Sequence, residues 1–175
     1  MRLGYSWGET EAERAAAYPC DSLMADPHQT CFRAIDVDAP APLVWRWLCQ
    51  LRAAPYSYDW IDNWGRRSPQ ELTPGLDELE VGQQVMIFEL AAFERDRSIT
   101  LHAPKSIFGH LALSYCVTPT GADRSRITVK LMVQYSRRTA WFARHVPPVG
   151  DLIMMRKQLR NLKRLAERDH GRIVA

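Results

Sequence analysis

Between His110 and Tyr135 every second residue is apolar, with one break. Leu111, Leu113, Tyr115 and Val117 share one parity, and Ile127, Val129, Leu131, Val133 and Tyr135 share another. Side chains of a strand alternate between faces, so each run reads as a strand with one buried face. Thr118-Pro119-Thr120-Gly121-Ala122-Asp123 lies between them and supplies turn residues, so the pair reads as a hairpin. Two more strands are predicted upstream, Val85 to Phe93 and Ser98 to His102, joined through Glu94-Arg95-Asp96-Arg97. Downstream, Leu152, Met155, Leu159, Leu162 and Ala166 recur at helical spacing, which predicts a long helix from about Asp151 with Gly171 as its stop. Antiparallel strands in a run, followed by a long amphipathic helix, specify an α+β chain. Its curved antiparallel sheet would wrap against that helix and leave a cavity between them.

The first half of the chain fits this scheme. Thr10 to Ala17 reads as a short helix, with Thr10 as N-cap and Glu13 closing a capping box. Pro19 and Pro27 then punctuate an extended arm. Cys31 to Val37 reads as a strand, with Cys31, Ile35 and Val37 on one face and Ala34 and Asp36 on the other; Phe32 and Arg33 fit this alternation less well. Pro40 and Pro42 open a helix whose stripe is Val44, Trp47, Leu48 and Leu51. Arg66 to Gln84, broken by Pro69, Pro74, Gly75 and Gly82, reads as loop.

Composition narrows the class. The 175 residues are 46% hydrophobic and 25% charged, ordinary for a single globular domain with a sizeable core. No apolar run reaches the roughly 20 residues that span a bilayer, and the first residues lack the apolar core of a signal peptide. A cytoplasmic location is the expectation. Cys20, Cys31, Cys49 and Cys116 form no CxxC pair and read as reduced. The net charge of +3 is unevenly spread: from Arg137 onward ten Lys or Arg face three Asp or Glu, and before it thirteen face seventeen. That predicts a basic face on the last helix, with Arg156, Lys157, Arg160, Lys163, Arg164 and Arg168 opposite its apolar stripe.

The chemistry-bearing residues concentrate in Pro55-Tyr56-Ser57-Tyr58-Asp59-Trp60-Ile61-Asp62-Asn63-Trp64-Gly65. Amphipathic rings beside carboxylates suit a pocket that is apolar in body and polar at a few points. They would equally fasten a helix to a sheet. Tyr58 and Asp59 are the candidate proton donor and acceptor, together with Glu89, which shares parity with Val85 and Ile87 and so reads as an inward carboxylate. Tyr56, Trp60, Tyr115, Tyr135, Met155 and Leu159 are the candidate ligand-binding residues. No HxxxH, HExxH or CxxC spacing points to a metal, and no GxGxxG or GxxxxGK[ST] points to a nucleotide, so neither metal nor cofactor is expected. Trp141-Phe142-Ala143-Arg144-His145-Val146 could touch an anionic membrane surface or shut the cavity.

Four stretches carry a resemblance across nearly the whole chain. They are Trp7-Gly8-Glu9-Thr10-Glu11-Ala12-Glu13 with Pro19-Cys20-Asp21; Ile35-Asp36-Val37-Asp38-Ala39-Pro40 leading to Val44-Trp45-Arg46-Trp47-Leu48-Cys49-Gln50-Leu51; Tyr56-Ser57-Tyr58-Asp59-Trp60-Ile61-Asp62-Asn63; and residues Met154 to Glu167. The chain resembles the SRPBCC or START-like helix-grip superfamily, which includes the birch pollen allergen and aromatic polyketide cyclases, and more narrowly a bacterial branch of it. The resemblance implies a helix-grip fold with two short helices after the first strand, and a single domain over 1–175, with an N-terminal arm at 1–30 and a core at 31–170. It implies a cavity and a small hydrophobic or aromatic ligand. The alternative is a cofactor-independent polyketide cyclase or dehydratase working through Tyr58, Asp59 and Glu89. A third reading uses the basic helix as an interaction surface. Neither nucleic acid nor stable membrane insertion is expected as a partner, and a homodimer is left open. Two positions depart from the branch: Cys20 stands where glycine is usual, and Arg52-Ala53-Ala54-Pro55 replaces a glycine-rich approach to Tyr56.

Overall fold

The computed structural model describes residues 6–58, 67–106, 109–135 and 147–174, with side chains of the last segment described from Met154 onward. Seven strands form one sheet: β1 (Ser6–Trp7), β2 (Gln29–Val37), β3 (Gln84–Val85), β4 (Phe88–Glu94), β5 (Ser98–Ser106), β6 (Gly109–Gly121) and β7 (Arg124–Gln134). Their order across the sheet is β1-β2-β7-β6-β5-β4-β3. Of the strands among the described residues, only β1 pairs in parallel, against β2. The helices among the described residues are α1 (Glu11–Ala15), α2 (Ala41–Cys49) and α3 (Pro147–Val174), with 3₁₀ turns at Pro19–Leu23 and Gln50–Arg52. Among the described residues no helix is long and apolar enough to cross a membrane.

The expected alternation places whole rows of residues. Arg33, Val129, Tyr115 and Ile99 are in register from β2 to β5, as are Cys31, Leu131, Leu113 and Leu101 one step along. Both rows face α2 and α3 and are almost fully buried. α3 contributes Leu159, Leu162, Leu165 and Ala166 to the same core. α2 is buried nearly all round, Pro42 and Arg46 excepted, because the sheet, α3 and the 67–83 segment enclose it. Arg52 Nη1 fastens that segment by donating to the carbonyls of Gly75, Leu76 and Glu78.

Several boundaries differ from expectation. The strand predicted from Val85 to Phe93 is two strands. Met86 and Ile87 form a two-residue reversal, with Met86 at a φ of +56°, so Val85 and Phe88 become cross-strand partners. The reversal has no glycine or proline to announce it. α3 starts at Pro147, before Asp151, and runs through Gly171. An exposed glycine inside a well-packed helix costs only about 1 kcal/mol, which tertiary contacts override.

The N-terminal arm also does more than extend. The capping box forms as predicted: Glu13 N–H donates to Thr10 Oγ1 at 3.2 Å and Thr10 N–H to Glu13 Oε2 at 2.7 Å. The arm then covers the outer face of the sheet, where Tyr18, Cys20 and Met24 pack on Phe32, Ala112 and Met132. This is why Phe32 breaks the simple alternation of β2: that strand is buried on both faces. Beneath the arm, Cys20 N–H donates to Ser114 Oγ at 2.9 Å, and Ser114 Oγ lies 2.9 Å from Thr100 Oγ1. Lys130 pairs with Asp21 at 2.5 Å and lies over the Tyr18 and Phe32 rings.

Candidate functional site

The region between the sheet and α3 is organised around Tyr115. Its hydroxyl donates to Gln158 Oε1 at 2.7 Å, and Gln158 Nε2 donates to the Pro55 carbonyl at 2.7 Å. Three separate segments, β6, α3 and the turn after α2, thus meet through one amide. Asn161 Nδ2 donates to the Tyr56 carbonyl at 2.8 Å, and Ser57 Oγ to the Met154 carbonyl at 3.1 Å. Tyr56 is 1% exposed, stands edge-on to Trp47 at 6.0 Å, and holds a φ of +54°. A bulky residue in that region carries strain on the order of 1–3 kcal/mol, which the contacts from α3 must offset. Lower on the helix, Trp47 Nε1 donates to Asp169 Oδ2 at 3.1 Å.

The predicted ligand-binding residues therefore divide. Tyr115 and Leu159 are buried core residues facing the sheet–helix seam, and Met155 packs partly buried against the same cluster. Tyr56 joins them as a wall of that seam. Tyr135 stands at one end, its hydroxyl donating to Gln29 Oε1 and its ring stacked on His28 at 6.1 Å. Trp60 lies outside the described residues, as do Asp59, Asp62, Asn63 and Trp141 to Val146. Tyr58 is half-buried.

Glu89 requires correction. It was expected to point inward with Val85, but parity cannot be counted through the Met86-Ile87 reversal. Val85, Phe88 and Leu90 face the core, and Glu89 stands on the outer face beside its cross-strand partner His102. Their side chains approach to 3.6 Å and are 46% and 25% exposed. They line an open surface cleft of about 480 Å³ with Gln84, Lys105 and Ser106. Glu89 and Tyr115 are thus on opposite sides of the sheet.

Sequence reasoning missed three polar residues in the interior. Arg33 is 1% exposed on the inward face of β2, with Nη1 donating to the Phe32 carbonyl at 2.7 Å. Its parity with Cys31 and Ile35 was the available signal. Gln158 and Asp169 lie on the apolar stripe of α3, four residues before Leu162 and seven after it. A polar residue at a core position of a helix is a sign of a specific buried partner, because it must be hydrogen-bonded there.

The thiols are not poised for chemistry. Burial pushes Cys49 and Cys116 up to about 12, and raises Cys20 as well. A nucleophilic cysteine needs the opposite shift. Burial also lowers His110, with the nearby His102 acting in the same direction.

No protein-family model matches the chain, and no curated protein matches it in sequence. Solved structures do match. Norcoclaurine synthase from Thalictrum flavum, in complex with dopamine and hydroxybenzaldehyde, aligns with a TM-score of 0.51 at 12% identity, over 78% of this chain and 85% of that one. A protein from Chromobacterium violaceum aligns with a TM-score of 0.51 at 12% identity, over 79% and 96%. A START superfamily protein from Mycobacterium smegmatis aligns with a TM-score of 0.45 at 16% identity, over 82% and 98%. With its curved seven-stranded sheet, two short helical elements after β2 and long C-terminal helix, the chain has a helix-grip fold.

Proposed function

We propose that the protein binds a small hydrophobic or aromatic molecule between the sheet and α3, against the end of the sheet marked by Gln29. The observation that carries this reading is a gradient of burial along the inward face. Arg33, Val129, Tyr115 and Ile99 are 1–3% exposed, whereas Gln29, Val133, Leu111 and Ala103, two rows along, are 6–9% exposed. The seam is filled at Tyr115 and Leu159, so a ligand fits the reading only beyond them, toward Leu111 and Val133. An apolar floor with a few polar groups at its rim, here Gln29 and the Tyr135 hydroxyl, is the usual build of a small-molecule site. The solved relative of similar fold that holds dopamine and hydroxybenzaldehyde lends the ligand class, at a distance in sequence that lends nothing finer.

Thermal-shift and native mass spectrometry screens with fatty acids, flavonoids and polyketide-like aromatics test this. A hit should disappear in Leu111→Trp, which fills the floor, and persist in Glu89→Gln on the other face of the sheet. Hits that survive Leu111→Trp, or a complete absence of hits, count against the reading. The acid–base alternative through Tyr58, Asp59 and Glu89 keeps less support, since Glu89 stands on the outer face of the sheet.

A further inference from the structure

The cations of α3 fall into two groups. Toward the C-terminus each has a partner: Lys163 pairs with Glu167, Arg164 donates to Gln70 Oε1 at 3.0 Å, Arg168 pairs with Asp169 and Glu71, and Arg172 with Glu71. Arg156, Lys157 and Arg160 are exposed, and among the described residues none has a carboxylate within ion-pair distance. Arg156 and Arg160 converge on one indole: their guanidinium carbons lie 5.1 and 5.8 Å from the centre of the Trp7 ring. Trp7 is half-buried against the core and anchored in β1, so the ring is a fixed platform.

Two like charges four residues apart destabilise a helix, and here they are gathered on one ring with no acid among the described residues to relieve them. Cation–π attraction holds both guanidiniums at the ring without neutralising either. An anion seated between them would remove the repulsion. The planar fork of each arginine suits a tetrahedral oxyanion gripped through two oxygens, and Lys157 adds a third positive charge one residue along. The extent of the patch bears on the ligand's size. A nucleic acid or a membrane surface would meet a line of free cations along the helix, but Lys163, Arg168 and Arg172 are already committed to Glu71, Glu167 and Asp169, and Arg164 is held by Gln70. We infer that Trp7, Arg156, Lys157 and Arg160 form a compact binding site for a phosphate-type oxyanion, free or as the monoester of a small molecule.

Calorimetric titration of the full chain with inorganic phosphate and with phenyl phosphate, at low chloride, tests the inference. Saturable one-to-one binding and a raised melting midpoint are expected. Arg156→Gln/Arg160→Gln should weaken binding at least tenfold. Arg160→Glu should abolish it while keeping the fold, because it places an acid four residues after Arg156. Arg172→Gln, at the end where Glu71 and Asp169 neutralise the charge, should bind as the wild type does. The inference is overturned if phosphate and phenyl phosphate bind no better than chloride, or if Arg172→Gln weakens binding as much as the double variant. Binding of anionic phospholipid vesicles or a DNA duplex without binding of phosphate would likewise overturn it.

Discussion

Tyr115 and Gln158 are joined by a hydrogen bond of 2.7 Å inside the sheet–helix seam, and Gln158 passes the connection on to the Pro55 carbonyl. Both side chains are at least nine-tenths buried, so the bond between them is made out of contact with bulk water. Tyr115→Phe removes the donor and leaves the Gln158 oxygen unmatched, which should cost about 1–3 kcal/mol. Tyr115→Phe/Gln158→Leu should cost less than the two single changes together, because both halves of the pair leave at once. Urea denaturation of the four proteins in the cycle measures the coupling; strict additivity would show that the bond contributes nothing specific.

Acid should loosen the N-terminal arm. Glu13 receives Arg126, whose Nη2 also donates to the Gly8 carbonyl at 2.7 Å and whose Nη1 donates to Asp36 at 2.9 Å. The Arg126 hydrogen bond dominates and holds the Glu13 carboxyl down at about 2, against an ordinary 4.5. A depressed carboxylate stabilises the fold above its unfolded pKa and loses that contribution as pH falls toward the folded one. The window is therefore pH 4.5 to 2, and the loss is on the order of 2 kcal/mol for a group of this exposure. Glu13→Gln should flatten the pH dependence of stability in that window. An unchanged acid profile would remove Glu13 as its source.

Gly8 is the glycine of the Trp7-Gly8-Glu9 stretch, and its role is steric. Its φ is +80°, and a Cβ there would sit 2.2 Å from the Ala34 carbonyl oxygen. Gly8→Ala must either push β2 away or release the parallel β1–β2 pairing, at a cost of at least about 1–3 kcal/mol. Hydrogen exchange should report the damage locally, at Phe32 to Ala34 and in α1, before global stability falls. Equal protection in both proteins would mean that the backbone absorbs the contact.

Legibility followed periodicity. Leu111 to Tyr135 and Leu159 to Ala166 were readable because one buried face imposes a period of two on a strand and 3.6 on a helix. The Thr10–Glu13 box was readable because capping is local. The Met86-Ile87 reversal was not, since its positive φ falls on a residue that rarely adopts one, and Glu89 was assigned to the wrong face as a result. Two-sided burial of Phe32 depends on an arm folding back from Tyr18, a contact between distant positions that no local pattern encodes. At the seam, Tyr115 and Leu159 were found by parity and stripe. Gln158 was passed over because a polar residue on an apolar helix stripe looks like noise until its partner on a distant strand is known.

The four cysteines should stay silent in the folded protein and respond together on unfolding. Cys49 and Cys116 are pushed up to about 12 by burial. At pH 8 that leaves a thiolate fraction on the order of 1 in 10⁴, far below an unfolded cysteine. A thiol-specific disulfide reagent should therefore label the native chain slowly and react with all four thiols in urea. The same shift predicts alkaline destabilisation. A raised thiol pKa stabilises the fold below the unfolded value near 9, and the contribution is lost as pH rises toward the folded value. Cys49→Ala/Cys116→Ala should be less sensitive to pH between 9 and 11 than the parent chain, whatever it loses in packing. Rapid stoichiometric labelling of native Cys49 at pH 8 would contradict the burial that underlies both expectations.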